Sequence, residues 1–483
     1  MFTPGQYSLE QILEIRKAFE ANTAANGVTP FVDPNNPGAA LSMQSLDKTF
    51  VAIVSSNVHF KFLSQIPKRG VKQVLAEYNK QDSHGGGWYN SSFLGQSDEP
   101  DFRDASLQRL FDEVCYIGEG FDYNKVVDTV DNVQDPSIIQ GNSALRRGME
   151  NLSRSVWFGS KAINKLTCDG FLTRVRDTND EFVMDARGQL PDVDEMKYHT
   201  SDIASSFFGL PNKAWMHPQT KALFDQVYQG SREFVFQNAA QNPGNVGQGN
   251  VIKGLYDSSS KNEFLLYETD IFMDKHNWRV PMRKSESTGE LIEGPTSLSE
   301  SPNTPSLAVE PVVSDANSKF TTDAGVHRYR VASGGLRHWS AACESEQVTV
   351  PSGGGAELTI TPANTGNPAT RFAIFRSIKP GSTDIRYMRE IVRTPGATTV
   401  FVDLNEDIPG TTIMVIGDFN AMSGVDETRT YVLSELLPFT KTLFPYGAGG
   451  RIRSKLGMVE WYGVPQIFAP EKFRVWKNIP VRT

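Results

Sequence analysis

The sequence predicts an α+β fold that carries an inserted all-β sandwich. Three observations support this prediction. Residues 136–167 repeat apolar side chains at helical spacing, residues 327–402 form short alternating segments between turns, and the mixed texture of the first half resumes at Ile413. Because periods of 3.6 and 2 residues distinguish an amphipathic helix from a half-buried strand, we expect one long helix and a separate group of strands.

Composition favours a large folded protein without a membrane span. The 483 residues are enough for two or three domains. No apolar run approaches the ~18 residues needed to cross a bilayer, and the N-terminus lacks the basic start and apolar block of a signal peptide. The formal net charge of −8 gives no overall basic signature for nucleic acid. We expect Cys115, Cys168 and Cys343, which form no CxxC pair, to be reduced, buried thiols.

Residues 1–70 are expected to form an N-terminal helix and an extended arm. A run rich in Pro, Asn and Gly at 21–45 is typical of an arm or linker, and residues 46–62 are apolar enough to be ordered, with a helix as one reading. The short amphipathic helix before the arm is predicted from the spacing of Leu9, Ile12, Leu13 and Phe19.

An extended β-hairpin is predicted over residues 71–118. Residues 71–78 alternate like a strand, and a turn-rich, polar tip follows with three consecutive glycines at Gly85, Gly86 and Gly87. Residues 105–117 fit the returning strand, although their apolar spacing fits a helix equally well. As a hairpin, the segment would project from the body because its tip is long and polar.

A long helix is predicted over 136–167, within a region of mixed structure that runs from 119 to 199. Pro136 suits its first turn and residues 167–170 suit its end. A helix of this length spans roughly 45 Å at about 1.5 Å per residue. Its apolar stripe consists of Ile138, Leu145, Met149, Leu152, Val156, Ile163 and Leu166. The opposite side is basic, with Arg146, Arg147, Arg154 and Lys161.

The rest of the chain is divided by a linker rich in Ser and Pro at 284–305. Before it, residues 200–285 contain a helix that starts at Pro218 and a buried strand over 263–273. After it come six alternating segments that predict a sandwich, at 327–332, 346–350, 356–361, 371–376, 387–392 and 398–402. Since 413–483 returns to the texture of 200–285, we interpret 286–412 as the linker and an inserted domain.

The sequence contains no motif for catalysis, a cofactor or a metal. HExxH, GxSxG and GxxxxGK[ST] are absent, and no two of the seven histidines lie four residues apart. Residues 177–181 offer carboxylates without an acid–base partner and are interpreted as a solvated turn. The chain is therefore not expected to be an enzyme.

Charge is distributed unevenly along the chain. Residues 91–140 hold 11 acidic and 3 basic side chains, whereas residues 441–483 hold 8 basic and 2 acidic ones. These segments are either two ordinary solvated faces or complementary surfaces on neighbouring subunits. On the second interpretation, the residues expected at the contact are Asp98, Glu99, Asp101 and Asp104 on the acidic side and Arg451, Arg453 and Lys455, with Lys472 and Arg474, on the basic side.

Several stretches carry a family resemblance. They are an N-terminal arm, the loop from VKQVLAEY to ASLQRLFDEVCYIGEGF, the helix PSIIQGNSALRRGMENLSRSVWFGSKAINKL, and the segments WMHPQTKALFDQV and EFLLYETDIFM. In this order they resemble the major capsid proteins of tailed bacteriophages of the Hong Kong 97 type. The inserted segment, from HRYRVASGG to TTVFVDLNEDIPGTT, is similar to immunoglobulin-like or fibronectin type III-like modules.

The resemblance implies a subunit of an icosahedral shell around packaged double-stranded DNA. The long helix would lie in a peripheral domain, the extended loop would reach over a neighbouring subunit, and an axial domain (200–285 with 413–483) would pack at the centres of hexamers and pentamers. The inserted module would lie on the outer surface. Implied partners are copies of the chain, DNA, and scaffolding, portal and decoration proteins. The protein would be made in the host bacterial cytoplasm and reside in the virion.

Other functions remain open at this stage. The basic side of the long helix either faces DNA or packs under a neighbour's arm. A nanocompartment shell of the encapsulin kind would enclose an enzyme cargo instead of DNA. A carbohydrate-active or carbohydrate-binding protein with an accessory β-module would need two carboxylates about 5–10 Å apart in a cleft if it were a glycosidase. A surface adhesin would use the sandwich as its binding head.

Overall fold

A computed structural model describes most of the chain. The described residues are 57–83, 85–86, 92–100, 102–129, 135–227, 252–277, 282–284, 291–293, 301–396, 398–419, 429–446 and 453–481. The predicted N-terminal helix and arm lie outside them, as does most of the 284–305 linker. Of the two units into which the chain divides, the larger comprises Ser55–Lys125 and Ile139–Thr483, and the sheets below belong to it.

The helices of the described residues are short, with one exception. In chain order they are α1 Lys61–Gln65, α2 Lys125–Thr129, α3 Pro136–Phe158, α4 Phe171–Thr178, α5 Val193–Phe207 and α6 Pro218–Val227. None of them is long and apolar enough to cross a membrane. The helix predicted at Pro218 is confirmed as α6.

Strands contribute most of the regular structure. The first ten are β1 Lys68–Gly70, β2 Leu75–Ser83, β3 Ser106–Glu113, β4 Cys115–Asn124, β5 Val183–Asp185, β6 Lys213–Met216, β7 Gly254–Tyr256, β8 Phe264–Thr269, β9 Met282–Lys284 and β10 Leu291–Glu293. The next eight are β11 Ser306–Val312, β12 Gly325–Gly334, β13 Trp339–Ala342, β14 Glu346–Val350, β15 Gly355–Thr361, β16 Arg371–Ser377, β17 Ile385–Val392 and β18 Thr399–Asp403. The last four are β19 Thr411–Gly417, β20 Tyr431–Leu443, β21 Ser454–Ile467 and β22 Phe473–Pro480. The mixture of helices and strands agrees with the predicted α+β class.

Helix α3 begins where the sequence predicts and ends earlier. It starts at Pro136 but stops at Phe158, so the predicted end at residue 167 is wrong. At Gly159 the chain turns back, and the Gly159 carbonyl accepts the Gly170 amide at 2.9 Å and the Thr173 hydroxyl at 2.6 Å. A Cβ on Gly159 would collide with the Cys168 carbonyl, so the close approach requires glycine and the last predicted apolar positions lie in the following loop.

Small residues on one face of α3 allow the helix to pack closely against a four-stranded sheet of order β1-β20-β21-β4. Gly141, Ala144 and Gly148 are buried on one face of the helix. A Cβ on Gly148 would lie 3.1 Å from the Phe439 ring. Because these residues have little or no side chain, the helix approaches the sheet closely. The predicted apolar stripe is confirmed at Leu152 and Val156, which are fully buried, and the small residues widen the buried face on one side of it.

A second sheet has six strands in the order β5-β22-β19-β6-β8-β7. It is mixed, because β6 pairs parallel to β8 whereas β19 pairs antiparallel to both β6 and β22. An aromatic core joins it to the first sheet and to the end of α3, with Phe62 at the centre: its ring lies 4.3 Å from that of Trp157 and 5.0 Å from that of Trp215. The two sheets and α3 thus share one core.

Residues 306–403 form two further sheets, which we term the β unit. One has the order β11-β15-β18, and the other has β13-β12-β16-β17 with β14 also paired to β12. The two sheets enclose a common apolar core that includes Val331, Leu358 and Phe372. All six segments predicted as strands are present, and the sequence reading missed β11 and β13. In the core, Tyr329 donates a hydrogen bond to Asp403 at 2.8 Å, and Arg376 forms an ion pair with Asp403.

Buried charges hold the β unit against the first part of the chain. The Lys275 ammonium lies between the Phe158 ring at the end of α3 (5.7 Å) and the Tyr387 ring of β17 (5.2 Å). Beside it, His276 is only 6% exposed. The amide of Gly410 donates to the His276 carbonyl at 2.6 Å. The Lys275 contact packs β17 of the β unit against the end of α3.

Two of the cysteines differ from the prediction. Cys115, at the start of β4, and Cys168, in the loop after α3, form a disulfide with Cα atoms 6.0 Å apart. Only Cys343 is a free, buried thiol. The prediction of three reduced thiols is wrong for this pair, because residues 53 positions apart meet where β4 pairs with β21 at Gly463.

Gly148→Leu is expected to destabilise the fold by about 1–3 kcal/mol, because the new side chain would overpack the contact between α3 and Phe439. Guanidinium denaturation followed by tryptophan fluorescence would measure the change. Asn142→Leu, at an exposed position of the same helix, is the matched control and should change the free energy of unfolding by less than about 0.5 kcal/mol. Equal effects of the two substitutions would contradict the close approach of α3 to the sheet at Gly148.

Acid is expected to remove the contribution of neutral, buried His276 to stability between about pH 6.5 and pH 4. Burial lowers the pKa of His276 to about 4, so below the usual value near 6.5 the unfolded chain binds a proton that the folded chain excludes. This contribution is fully present above pH 6.5 and falls by up to about 3 kcal/mol as the pH approaches 4. Buried Asp270, whose pKa is raised to about 6, acts in the opposite sense, so the effect of His276 is measured by comparing the parent with a His276 variant. The pH dependence of the thermal midpoint reports how many protons the chain takes up on unfolding. In His276→Gln this number should be smaller by about one between pH 4 and pH 6.5. An unchanged slope in that variant would refute the assignment.

Candidate assembly surface

Strands β2 and β3 form an isolated two-stranded hairpin. They pair antiparallel from Leu75↔Glu113 to Ser83↔Ser106, and within the described residues neither strand pairs with a third. The predicted hairpin is confirmed, and the helical alternative for residues 105–117 is excluded. The first strand starts later than predicted, at Leu75. Because directly opposed residues point to the same side, the register defines an inner and an outer face.

The inner face rests on the same subunit. Ala76 is buried, and the Tyr78 ring lies 4.8 Å from that of Phe468. Burial, followed by the nearby Asp112 carboxylate, raises the pKa of the Tyr78 hydroxyl. Farther along the strand, Lys80 forms an ion pair with Glu471. The hairpin is therefore held along its inner face rather than swinging freely.

A buried glutamine joins both hairpin strands to the sheet beneath. Gln466, in β21, is 1% exposed, and its Nε2 donates to the Ala76 carbonyl at 2.9 Å and to Asp112 Oδ2 at 3.2 Å. Its Oε1 accepts the Ser434 hydroxyl of β20 at 2.6 Å. Asp112 also forms an ion pair with Arg174 of α4. One side chain thus positions β2 and β3 relative to β20 and β21, and nothing in the local sequence pattern indicated it.

The outer face of the hairpin is apolar and exposed. Leu75, Leu107 and Phe111 are 44%, 69% and 66% exposed. Between them, Glu77 and Arg109 form an ion pair across the strands. A row of large, exposed apolar side chains on an isolated hairpin makes its outer face a candidate interaction surface.

The acidic residues predicted for a contact lie at the hairpin tip. Asp98, Glu99 and Asp104 are all exposed, in the same segment as Phe102, which is 94% exposed. Asp98 Oδ2 also accepts the amide of Gly95 at 2.8 Å, which orders the turn. Asp101 lies outside the described residues.

The basic residues predicted for the contact lie where β20 and β21 meet. Arg453 is exposed and its carbonyl accepts the Lys125 amide at 2.8 Å. The ammonium groups of Lys455 and Lys125 lie 4.8 Å and 5.6 Å from the centre of the Tyr446 ring. Arg451 lies outside the described residues. We term Lys125, Arg453 and Lys455 the basic end of the sheet.

Arg474 does not belong to this surface. It is 1% exposed, forms an ion pair with Asp202, and lies 3.8 Å from the Phe182 ring. Its expected place on a basic outer surface is wrong, because the residue belongs to β22, which lies between β5 and β19 in the six-stranded sheet, and its charge is paired internally.

The basic side of the long helix is partly used within the subunit. Arg146 is half-buried, and the other three residues predicted there have intramolecular contacts. These contacts are Glu119 for Arg147 at 3.1 Å, the Phe272 ring for Arg154 at 5.9 Å, and Glu113 for Lys161. Because of these contacts, less of their positive charge would be available to bind DNA than the sequence alone suggests.

A cleft of about 500 Å³ beside the β unit contains several carboxylates. Each of the three from the segment 403–407 is held in an ion pair, with Arg376 for Asp403 and with Arg389 and Lys477 for Glu406 and Asp407. Burial alone would raise the pKa of Asp407, but the cations around it outweigh burial and lower the pKa to about 2. A carboxyl in this state stays ionised near neutral pH and cannot act as a proton donor. The described residues contain no cluster of three or more His, Cys, Asp or Glu that could hold a metal ion.

The chain is similar in sequence to curated phage proteins. It is 23% identical over 470 residues to the "Major capsid protein" of Staphylococcus phage S25-3, with 94% of this chain and 92% of that protein covered. The same identity and coverage hold for the "Major capsid protein" of Staphylococcus phage K. No protein-family model matches the sequence.

Solved structures give more distant likenesses. The capsid of a native GTA particle has a TM-score of 0.48 at 8% identity, covering 94% of this chain and 100% of that chain. The holo-SrpI encapsulin complex from Synechococcus elongatus PCC 7942 has a TM-score of 0.40 at 10% identity, covering 94% and 97%. Scores below 0.5 do not decide between these two kinds of shell. By sequence, the chain is similar along nearly its whole length to major capsid proteins of staphylococcal phages.

Proposed function

We propose that this chain is a major capsid protein of a tailed bacteriophage, which assembles through hexamers and pentamers into an icosahedral shell around double-stranded DNA. Its role is structural, and it resides in the capsid of the virion. The observation that carries the proposal is the hairpin, which is fixed on its inner face and exposes Leu75, Leu107 and Phe111 on its outer face. The likeness to staphylococcal phage capsid proteins over 94% of the chain supports it.

The arrangement of elements fits a fold of the Hong Kong 97 type. In this proposal the hairpin β2–β3 is the extended loop, and α3 with the sheet β1-β20-β21-β4 is the peripheral domain. The six-stranded sheet is the axial domain, and the β unit is an inserted immunoglobulin-like module. The support is the order of these elements and their shared aromatic core.

Self-association uses the hairpin's outer face and tip. Burying the three apolar side chains against a neighbour supplies the favourable free energy, at roughly 25 cal/mol per Å² of apolar surface. The acidic tip, with Asp98, Glu99 and Asp104, meets the basic end of the neighbouring sheet, with Arg453 and Lys455. Opposite charges across such a contact fix its register and speed encounter more than they add affinity.

The basic residues have two competing proposed roles, which are contact with a neighbouring subunit and binding of DNA. Arg146 and Arg147 are proposed to face the interior of the shell, where phosphates bind basic side chains in a salt-dependent manner. A nanocompartment shell with enzyme cargo is the alternative function, and the sequence likeness to phage capsid proteins favours the phage shell.

The double substitution Arg453→Glu/Lys455→Glu should abolish or strongly reduce closed particles, because like charges then face each other at the contact. Negative-stain electron microscopy and sedimentation of the purified protein would measure particle yield. Adding Asp98→Lys/Glu99→Lys to the same chain is the matched control and should restore assembly by reversing both sides. Normal shells from the first variant would refute the pairing, and release of DNA by salt from intact shells would assign the basic end to DNA instead.

Gln466→Leu should lower particle yield and destabilise the subunit by about 2–4 kcal/mol. The apolar side chain has similar volume but leaves the Ala76 carbonyl, the Ser434 hydroxyl and part of the Asp112 carboxylate without their partner. Urea denaturation and particle yield would be measured together. Gln189→Leu, at an exposed turn, is the control and should assemble normally. A Gln466→Leu protein that assembles and unfolds like the parent would show that the hairpin is positioned by other contacts.

A further inference from the structure

The disulfide between Cys115 and Cys168 lies at the base of the hairpin. Cys115 begins β4 two residues after the end of β3, and Cys168 lies in the loop that follows α3. Both sulfurs are buried in a small apolar cluster with Ala76, Val114 and Val464. The bond therefore joins the start of β4, just beyond the hairpin's return strand β3, to the loop after the long helix.

Polar contacts bring the same two segments together without the bond. Lys161 forms an ion pair with Glu113, next to the hairpin base. The Lys161 amide donates to Asp169 Oδ1 at 2.7 Å, beside Cys168. Arg174 pairs with Asp112 and lies 3.8 Å from Asp169. The two thiols are thus held adjacent by the fold, so the chain can fold and place its hairpin with either the dithiol or the disulfide.

The redox state of such a pair follows its compartment. Thiols stay reduced in a bacterial cytoplasm and form disulfides outside it. This step rests on the proposed function, because a phage shell is assembled inside a cell and then released from it. The same pair therefore meets two environments during the life of the particle.

We propose that Cys115 and Cys168 form a redox clasp, reduced during assembly and closed to a disulfide after release. Two thiols react with one low-molecular-weight disulfide, such as oxidised glutathione. The products are the Cys115–Cys168 bond and two small thiols, so the two electrons and two protons pass to the oxidant. The closed clasp constrains a segment that contains β4, α2 and the whole of α3, which stabilises the released shell by restricting its unfolded chain.

Thiol counting tests the clasp. Particles purified without reductant and treated with oxidised glutathione, then denatured and alkylated with N-ethylmaleimide, should give one alkylated cysteine per chain, Cys343, by mass spectrometry. Chains alkylated during lysis of the producing cells should give three. Three alkylated cysteines after oxidation would overturn the pairing, and one in freshly lysed cells would overturn the change of state.

Thermal stability tests the consequence. The oxidised particles should unfold several degrees above particles kept in tris(2-carboxyethyl)phosphine throughout, and Cys115→Ala/Cys168→Ala should show the same midpoint in both conditions. Cys343→Ala is the control and should keep the redox-dependent shift. Equal midpoints for the oxidised and reduced parent would refute the stabilising role. If the protein forms no particles, the proposed function fails, while thiol counting on the soluble chain still tests the pairing.

Discussion

The architecture of the subunit depends on how an isolated two-stranded hairpin is fixed to the body through its inner face. An isolated pair of strands is at best marginally stable in water, and this hairpin gains its order from its inner face. The centre of that contact is Gln466, whose single side chain bonds both hairpin strands and β20. Because a buried amide is costly when its partners are missing, the network favours one orientation of the hairpin over others.

The orientation has a consequence for the outer face. Seating the inner face leaves Leu107 and Phe111 pointing away from the subunit, where water is the only alternative to another chain. Other contacts also fix parts of the subunit to its body. The small residues of α3 hold the helix close to its sheet, and the contacts of Lys275 hold the β unit against the end of α3. A subunit that exposes large apolar side chains on a fixed hairpin is suited to repeated association with copies of itself.

Much of this fold could be predicted from local pattern. Alternation located the six segments of the β unit, and Pro136 and Pro218 marked two helix starts. The misses at the end of α3 and at the cysteine pair share one physical origin, because both depend on contacts between distant residues. The end of α3 is set by the close approach of residues 159 and 168–170, and the cysteine pair is set by the register of β4 on β21. Strand β11 was not predicted, because its alternating segment directly follows the linker.

The sequence indicated the charged segments of the candidate site but not the side chains that position the hairpin or form its outer face. Counting acidic and basic residues drew attention to the hairpin tip and the basic end, whose pairing between subunits stays a prediction, but placed Arg474 at the surface although it is buried. Neither Gln466 nor the Leu107–Phe111 face has a sequence signature, since an exposed Phe and a buried Gln are recognised only once the strands are paired.

The most direct measurement is hydroxyl-radical footprinting of Phe111 and Leu107 in assembled shells and in subunits dissociated from them. If the outer face of the hairpin is covered by a neighbour, oxidation of both side chains should fall severalfold on assembly. Equal oxidation in shells and free subunits would contradict the central claim that the hairpin's outer face is the assembly surface.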